Sequence, residues 1–306
     1  MSAVSAAISP AVESIRADSL HGTYLRVVLI GIGGVAIALR TSDAGFAEMV
    51  KERYGSFASA RIASDTDCGI AFDIELLDLP VAAPYDIDLE SDIEVDDDEL
   101  AVTRESGVWH LRRGDFSAAW NSQTGLGTIR LAPNPYSLDS VLRIVHSLVL
   151  ARRGEFLVHA ASAIRNGHAF LFAGISGAGK TTISRLAPPD ATLLTDEISY
   201  VRRDRAENGS GYVAWGTPFA GELATVGANC FAPLRAVYLL RQGSENRIDE
   251  IPPSLAAQGL LRNILFFAQD AGLVRTVFEG ACEFVERVPV RQLTFRMEAA
   301  VWDLIQ

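Results

Sequence analysis

FLVHAASAIRNGHAFLFAGISGAGKTTISRL, residues 156–186, decides the fold. Its first ten residues are mostly apolar and read as a strand. Asn166 and Gly167 follow, and an Asn-Gly pair between apolar runs is a strong hairpin-turn signal. Residues 169–173 (AFLFA) give a second strand. The next eight residues, Gly174-Ile175-Ser176-Gly177-Ala178-Gly179-Lys180-Thr181, match G-x-x-x-x-G-K-[ST] in full. Thr182 and the residues after it open a helix. Strand, glycine loop, helix is the setting in which this motif holds phosphate groups.

Phosphate oxygens are wrapped by successive backbone N–H groups, and glycine lets the chain bend tightly and approach closely enough to do so. The helix that follows points free N–H groups toward the same place. Gly174, Ser176, Gly177, Ala178, Gly179, Lys180, Thr181 and Thr182 are therefore expected to bind the phosphates of ATP. Lys180 supplies charge to the β- and γ-phosphates, and the Thr181 hydroxyl is a Mg²⁺ ligand. Lys180 is one of two lysines in the chain, the other being Lys51, whereas arginine is plentiful. An ordinary glycine turn is the bland alternative, and the near absence of lysine elsewhere makes its presence at this spot by chance improbable.

Downstream, Leu193-Leu194-Thr195-Asp196-Glu197 is an apolar strand ending in two acids. Only 15 residues separate Lys180 from Thr195, room for one short helix and one strand. The distance is too short for the large motor and transporter ATPases, and no LSGGQ-like motif follows. Asp196 and Glu197 are candidates for proton and metal chemistry, against the plainer reading of a solvated strand end. His159, among Leu157, Val158, Ala160 and Ala161, is either a core histidine or a site residue. His21, His110, His146 and His168 show no ligand spacing.

Farther out the chain changes character. The length, 306 residues, suggests about two domains. Residues 1–148 carry 11 Lys/Arg against 22 Asp/Glu, while residues 149–306 carry 16 of each. An acidic first half argues against nucleic-acid binding. Residues 86–99 hold nine carboxylates in fourteen positions, alternating at first with Ile, Leu or Val, as in a strand with one charged face that guards a sheet edge. A calcium loop fits less well, since the central glycine and ligand order are missing. A strand or hairpin is expected over residues 24–40, a helix over 46–54, and short strands at 71–77, 100–103, 108–112, 116–120 and 128–131. The expected domains are a disordered stretch at residues 1–20, a β-rich N-terminal domain over 21–145 and a P-loop domain over 146–306, with a helix at 137–152 as the link. Beyond the acidic pair, residues 253–269 and 270–287 read as helices, the second capped by Asp270. Residues 292–296 read as a strand and 299–305 as a short helix. Arg235, Arg241 and Arg262 are candidates to stabilise transferring phosphate.

No apolar run reaches the roughly 18–20 residues of a membrane span, and no signal-peptide pattern opens the chain. A cytoplasmic protein with no membrane partner is expected. Cys68, Cys230 and Cys282 are widely spaced and odd in number, which predicts small buried side chains rather than disulfides or a zinc site.

LVHAAS with His159, the hairpin into GISGAGKTT, and LLTDEISYV soon after together resemble the HPr kinase/phosphorylase family, whose catalytic domain is also similar to ATP-dependent phosphoenolpyruvate carboxykinase. Residues 155–202 carry the likeness most strongly. It implies an α/β fold, a P-loop catalytic domain of HPr kinase/carboxykinase type with a mixed sheet and helices, preceded by a β-rich domain. It further implies a Mg²⁺/ATP-dependent kinase acting on a serine of a protein or peptide, assembled as a homo-oligomer. By carry-over, Asp196 accepts the hydroxyl proton, His159 lies beside the transferring phosphate, and Glu197 stands where the family has a second Asp and helps hold Mg²⁺. The rival readings are a nucleotide-binding scaffold without transfer and a small-molecule kinase.

Overall fold

A computed structural model describes residues 26–58, 69–77, 100–205 and 211–306. The acidic segment 86–99, Cys68 and residues 1–20 lie outside them. The chain is mixed α/β, with two sheets and a few helices. It divides into two compact units between Val141 and Leu142.

The first unit holds a seven-stranded sheet. Strands β1 (Arg26–Ile32) and β2 (Val35–Thr41) form an antiparallel hairpin whose Gly33 and Gly34 both have positive φ, the geometry that two-residue turns require. Helix α1 (Ala44–Tyr54) starts at Asp43, whose Oδ1 accepts from the Phe46 N–H at 2.7 Å. Strand β3 (Ile70–Leu76) pairs in parallel with β2. Strands β4 (Ala101–Glu105), β5 (Val108–Arg113), β6 (Phe116–Asn121) and β7 (Leu126–Leu131) form a meander, and β7 closes it onto β3, again in parallel. Their burial alternates, as in β6, where Phe116, Ala118 and Trp120 are buried and the residues between are not. Helix α2 (Pro135–Ala151) follows, and the division between units falls within it.

The second unit is organised around β8 (Phe156–Arg165). It turns at Asn166 and Gly167 into β9 (His168–Ala173), as the Asn-Gly signal predicts. The glycine loop then leads into α3 (Lys180–Arg185), β10 (Thr192–Thr195), β11 (Ile198–Arg203), β12 (Tyr212–Trp215), β13 (Phe231–Gln242), β14 (Arg247–Glu250), α4 (Pro253–Leu261), β15 (Ile264–Leu265), α5 (Ala271–Arg287) and β16 (Val290–Phe295). Strand β8 pairs with β11, β11 with β12, β12 with β13, β13 with β9, and β9 again with β8. The ladder closes, making a five-stranded barrel. Strand β16 adds to β13 in parallel and β14 to β16 antiparallel.

Both faces of β8 and β9 are covered, which explains their unbroken apolar sequences. Phe156, Val158, Ala160, Leu171 and Ala173 join one core cluster with Phe284 of α5. Ala161, Ala163, Phe170 and Phe172 join the other, with Ile183 of α3 and Trp302. Trp302 lies in a closing 3₁₀ turn (Ala299–Leu304), and its Nε1 donates to the Ile183 carbonyl at 3.0 Å. The expected cap of α5 is present, Asp270 Oδ1 accepting from the Leu273 N–H at 2.9 Å.

Two expectations need correction. The helix expected over residues 253–269 ends at Leu261, because Ile264 and Leu265 pair with Val158 and Leu157 of β8. Cys230 and Cys282 are free but only partly buried. Among the described residues no helix is long and apolar enough to cross a membrane.

Two predictions follow from the packing. Phe284 is fully buried and meets Phe156 and Tyr212 edge-on, at 5.5 and 4.7 Å between ring centroids. Phe284→Ala should therefore lower stability by about 3–5 kcal/mol in urea unfolding. His146 of α2 is also fully buried, with Nδ1 3.1 Å from the Tyr200 hydroxyl. Burial, and then Arg202, pushes its imidazole from 6.5 down to about 3. Between those values the unfolded chain binds a proton that the folded chain refuses. Stability therefore rises with pH across that window and falls on acidification, by about 1.4 kcal/mol per pH unit for this group. His146→Asn should flatten the fall of the urea midpoint between pH 7 and 4; parallel curves for the two proteins would contradict the assignment.

Candidate functional site

The glycine loop is built by sterics. Gly177 has φ +75° and Gly179 φ +110°, in the left-handed region that side chains resist. At Gly179 a Cβ would lie 2.6 Å from Cζ of Phe295, so β16 presses its last ring against the loop. The Ala178 N–H donates to the Ile175 carbonyl at 3.0 Å, and Gln242 Nε2, at the end of β13, donates to the Gly177 carbonyl at 2.7 Å. Gln242 thus ties the loop down, a role that a lone glutamine in the sequence does not announce. Lys180 is buried at the start of α3, its Nζ donating to the carbonyls of Gly174 at 2.7 Å and Ile175 at 3.2 Å. Ser176 and Gly177 are exposed, and Ala178, Thr181 and Thr182 are half-buried beside them. Helix α3 has only six residues. The loop's own N–H groups and Lys180, more than a long helix dipole, are what such a loop could offer an anion.

Parallel strands β9, β13 and β16 all end at this loop: Ala173 lies opposite Leu239, and Gln242 opposite Phe295. Ligands of α/β sheets bind outside such carboxyl ends. Of the arginine candidates, Arg241 lies at this end of β13 and Arg235 toward the other, both exposed. Arg262 is exposed beside Asn263.

The acidic pair reaches the same neighbourhood through β8. On one edge of β8, Ala160 pairs with Ala173, the residue before the loop. On the other edge, Ser162 pairs with Thr195 and His159 with Ile198. Asp196 and Glu197 form the turn between these pairings, opposite residues 160 and 161. Two inter-strand spacings, about 10 Å of backbone, therefore separate the loop's start from the acidic turn. His159 sits at the same level, its N–H donating to the Asn263 carbonyl at 2.7 Å. By strand alternation its side chain shares the face of Ala161, on which Ile183 of α3 packs.

The two acids are held differently. Asp196 is buried, its Oδ1 accepting from the Gly221 N–H and its Oδ2 from the Leu223 N–H, both at 2.9 Å. Glu197 Oε2 pairs with Nη2 of Arg143, on α2, at 2.9 Å. Thr195 Oγ1 accepts from the N–H groups of Glu197 and Ile198, both at 3.2 Å, and so shapes the turn. Thr195, Arg143 and the backbone of residues 221–223 are the contributors that sequence reading missed. The signal for Arg143 was a single charge amid the apolar run of α2.

Among the described residues no group of three or more His, Cys, Asp or Glu forms a metal cage. The Thr181 hydroxyl and the Asp196 and Glu197 carboxylates are hard oxygen donors of the kind Mg²⁺ takes, one or two carboxylates being enough when phosphate oxygens and water complete its shell. Each carboxylate oxygen that accepts one hydrogen bond here has further lone-pair capacity.

The family model described as SynChlorMet cassette protein ScmC matches residues 135–306, from the first residue of α2 to the last residue of the chain. A search of curated proteins finds no match. The match corrects the likeness to HPr kinase/phosphorylase, since the model that fits is not one of that family. The physical reason is that a glycine loop of the G-x-x-x-x-G-K-[ST] pattern is a local shape that unrelated lineages share, so it says little about kinship. With more than half its length covered, the chain belongs to the SynChlorMet cassette protein ScmC family.

Proposed function

We propose that the chain is a Mg²⁺/ATP-dependent kinase of P-loop type that transfers the γ-phosphate to a serine hydroxyl of a protein or peptide. What supports this reading is one juxtaposition: the glycine loop and the acidic turn flank opposite edges of β8 at the same level. The loop N–H groups and Lys180 hold the triphosphate. Thr181 and Glu197 are the donors for Mg²⁺, which when bound neutralises charge on the phosphates. The acceptor oxygen attacks the γ-phosphorus, the bond to the β-phosphate oxygen breaks, ADP leaves, and the hydroxyl proton passes to a carboxylate oxygen of Asp196. His159, on the α3 face of β8, stands beside the transferring group. Positioning and charge stabilisation carry such a reaction, with little covalent work by the protein.

One observation favours a second reading, a nucleotide-binding scaffold without transfer. Both oxygens of Asp196 already hold backbone N–H groups of residues 221 and 223. Turnover separates the two readings.

Lys180→Ala should remove ATP binding measured by calorimetry. Asp196→Asn should keep it and lower phosphate transfer by about a hundredfold or more, the usual span of a general base. Full transfer by Asp196→Asn removes Asp196 from the base role, and tight ATP binding with no turnover on any serine peptide supports the scaffold.

A further inference from the structure

Arg143 is set where a cation is costly. Its neighbours in α2, Leu142, Ile144 and Val145, are fully buried, and its own side chain is 14% exposed. A charge so desolvated costs several kcal/mol unless it is paired in good geometry. Its Nη2 meets Glu197 Oε2 at 2.9 Å, and its guanidinium carbon lies 5.3 Å from the centroid of the Phe219 ring. The planar guanidinium can do both at once, which a lysine ammonium does less well.

These contacts link two segments. Phe219 belongs to the loop over residues 216–229, and its carbonyl accepts from Thr195 Oγ1 at 3.4 Å. Gly221 and Leu223 of that loop hold Asp196. At Gly221 a Cβ would lie 2.9 Å from Cβ of Glu197 and 3.0 Å from Oδ2 of Asp196, so loop and turn are in close contact. Arg143 therefore touches the acidic turn through Glu197 and the loop through Phe219. It also offsets one of two adjacent carboxylates that would otherwise repel.

We infer that Arg143 is a positioning residue: by pairing with Glu197 and stacking on Phe219, it fixes the acidic turn in the orientation in which Glu197 serves Mg²⁺ bound with ATP. The inference rests on the nucleotide reading above and adds a residue to it. Arg143 acts through Glu197 and does not touch the phosphates.

The test is ATP binding by calorimetry over a Mg²⁺ series, with Lys180→Ala as the control for the nucleotide reading. Arg143→Gln should raise the Mg²⁺ concentration for half-maximal binding about tenfold, the usual loss when a ligand's supporting partner is removed. ATP binding without Mg²⁺ should not change. Arg143→Lys, which keeps the charge and loses the planar stack, should fall between the two, and it carries the test if Arg143→Gln does not fold. Glu197→Gln should match Arg143→Gln, and the double variant should be no worse than either. An unchanged or lowered Mg²⁺ midpoint in Arg143→Gln overturns the inference while Lys180 sensitivity keeps the nucleotide reading. Additive losses in the double variant overturn it too, by showing that Arg143 acts apart from Glu197. No Mg²⁺-ATP binding by folded wild type overturns both.

Discussion

The backbone hydrogen bonding of β8 on both its edges is the constraint from which the rest follows. One edge fixes the end of β9 and hence the origin of the glycine loop; the other fixes where β10 stops and β11 begins. The interval between those two pairings leaves Asp196 and Glu197 outside the ladder, at the level of Ala160. Strand pairing of this kind is fixed in register by the burial of both faces, because a slip of one residue would exchange the two core clusters. The relation between glycine loop and acidic turn is therefore a property of the sheet, not of flexible connections.

On that frame the loop and the turn are shaped by opposite means. The loop is made by the absence of side chains, with Phe295 filling the space that a Cβ at Gly179 would need. The turn is made by side chains that replace missing ladder bonds: Thr195 caps the N–H groups of Glu197 and Ile198, Asp196 gathers two from residues 221 and 223, and Arg143 takes Glu197. Two carboxylates adjacent in sequence thus have different partners, one neutral backbone and one cationic. Such separation of environments is how neighbouring acids come to hold different roles.

What was legible in the sequence is what local chemistry decides. The Asn166–Gly167 turn and the Asp270 cap each depend on a few consecutive residues, and each is where the sequence places it; the glycine loop likewise lies between a strand and a helix, as its neighbours in sequence predict. What was not legible depends on partners far along the chain. Arg143 and Glu197 are 54 positions apart, and Asp196 meets residues 25 and 27 positions onward. Helix α4 stops early although residues 262–269 could continue it, because β8 offers Ile264 and Leu265 an edge. Closure of the five-stranded barrel likewise depends on the pairing of all its strands together. Kinship was misread for a related reason. The likeness to HPr kinase/phosphorylase rested most strongly on residues 155–202, whereas the ScmC match spans 172 residues, from 135 to 306.

The most direct measurement is a crystal structure of the chain with Mg²⁺ and a non-hydrolysable ATP analogue. The account predicts β- and γ-phosphates within hydrogen-bond reach of Lys180 Nζ and the loop N–H groups, with the γ-phosphate turned across β8 toward Asp196. A nucleotide bound elsewhere, or a γ-phosphate directed away from the acidic turn, would contradict it.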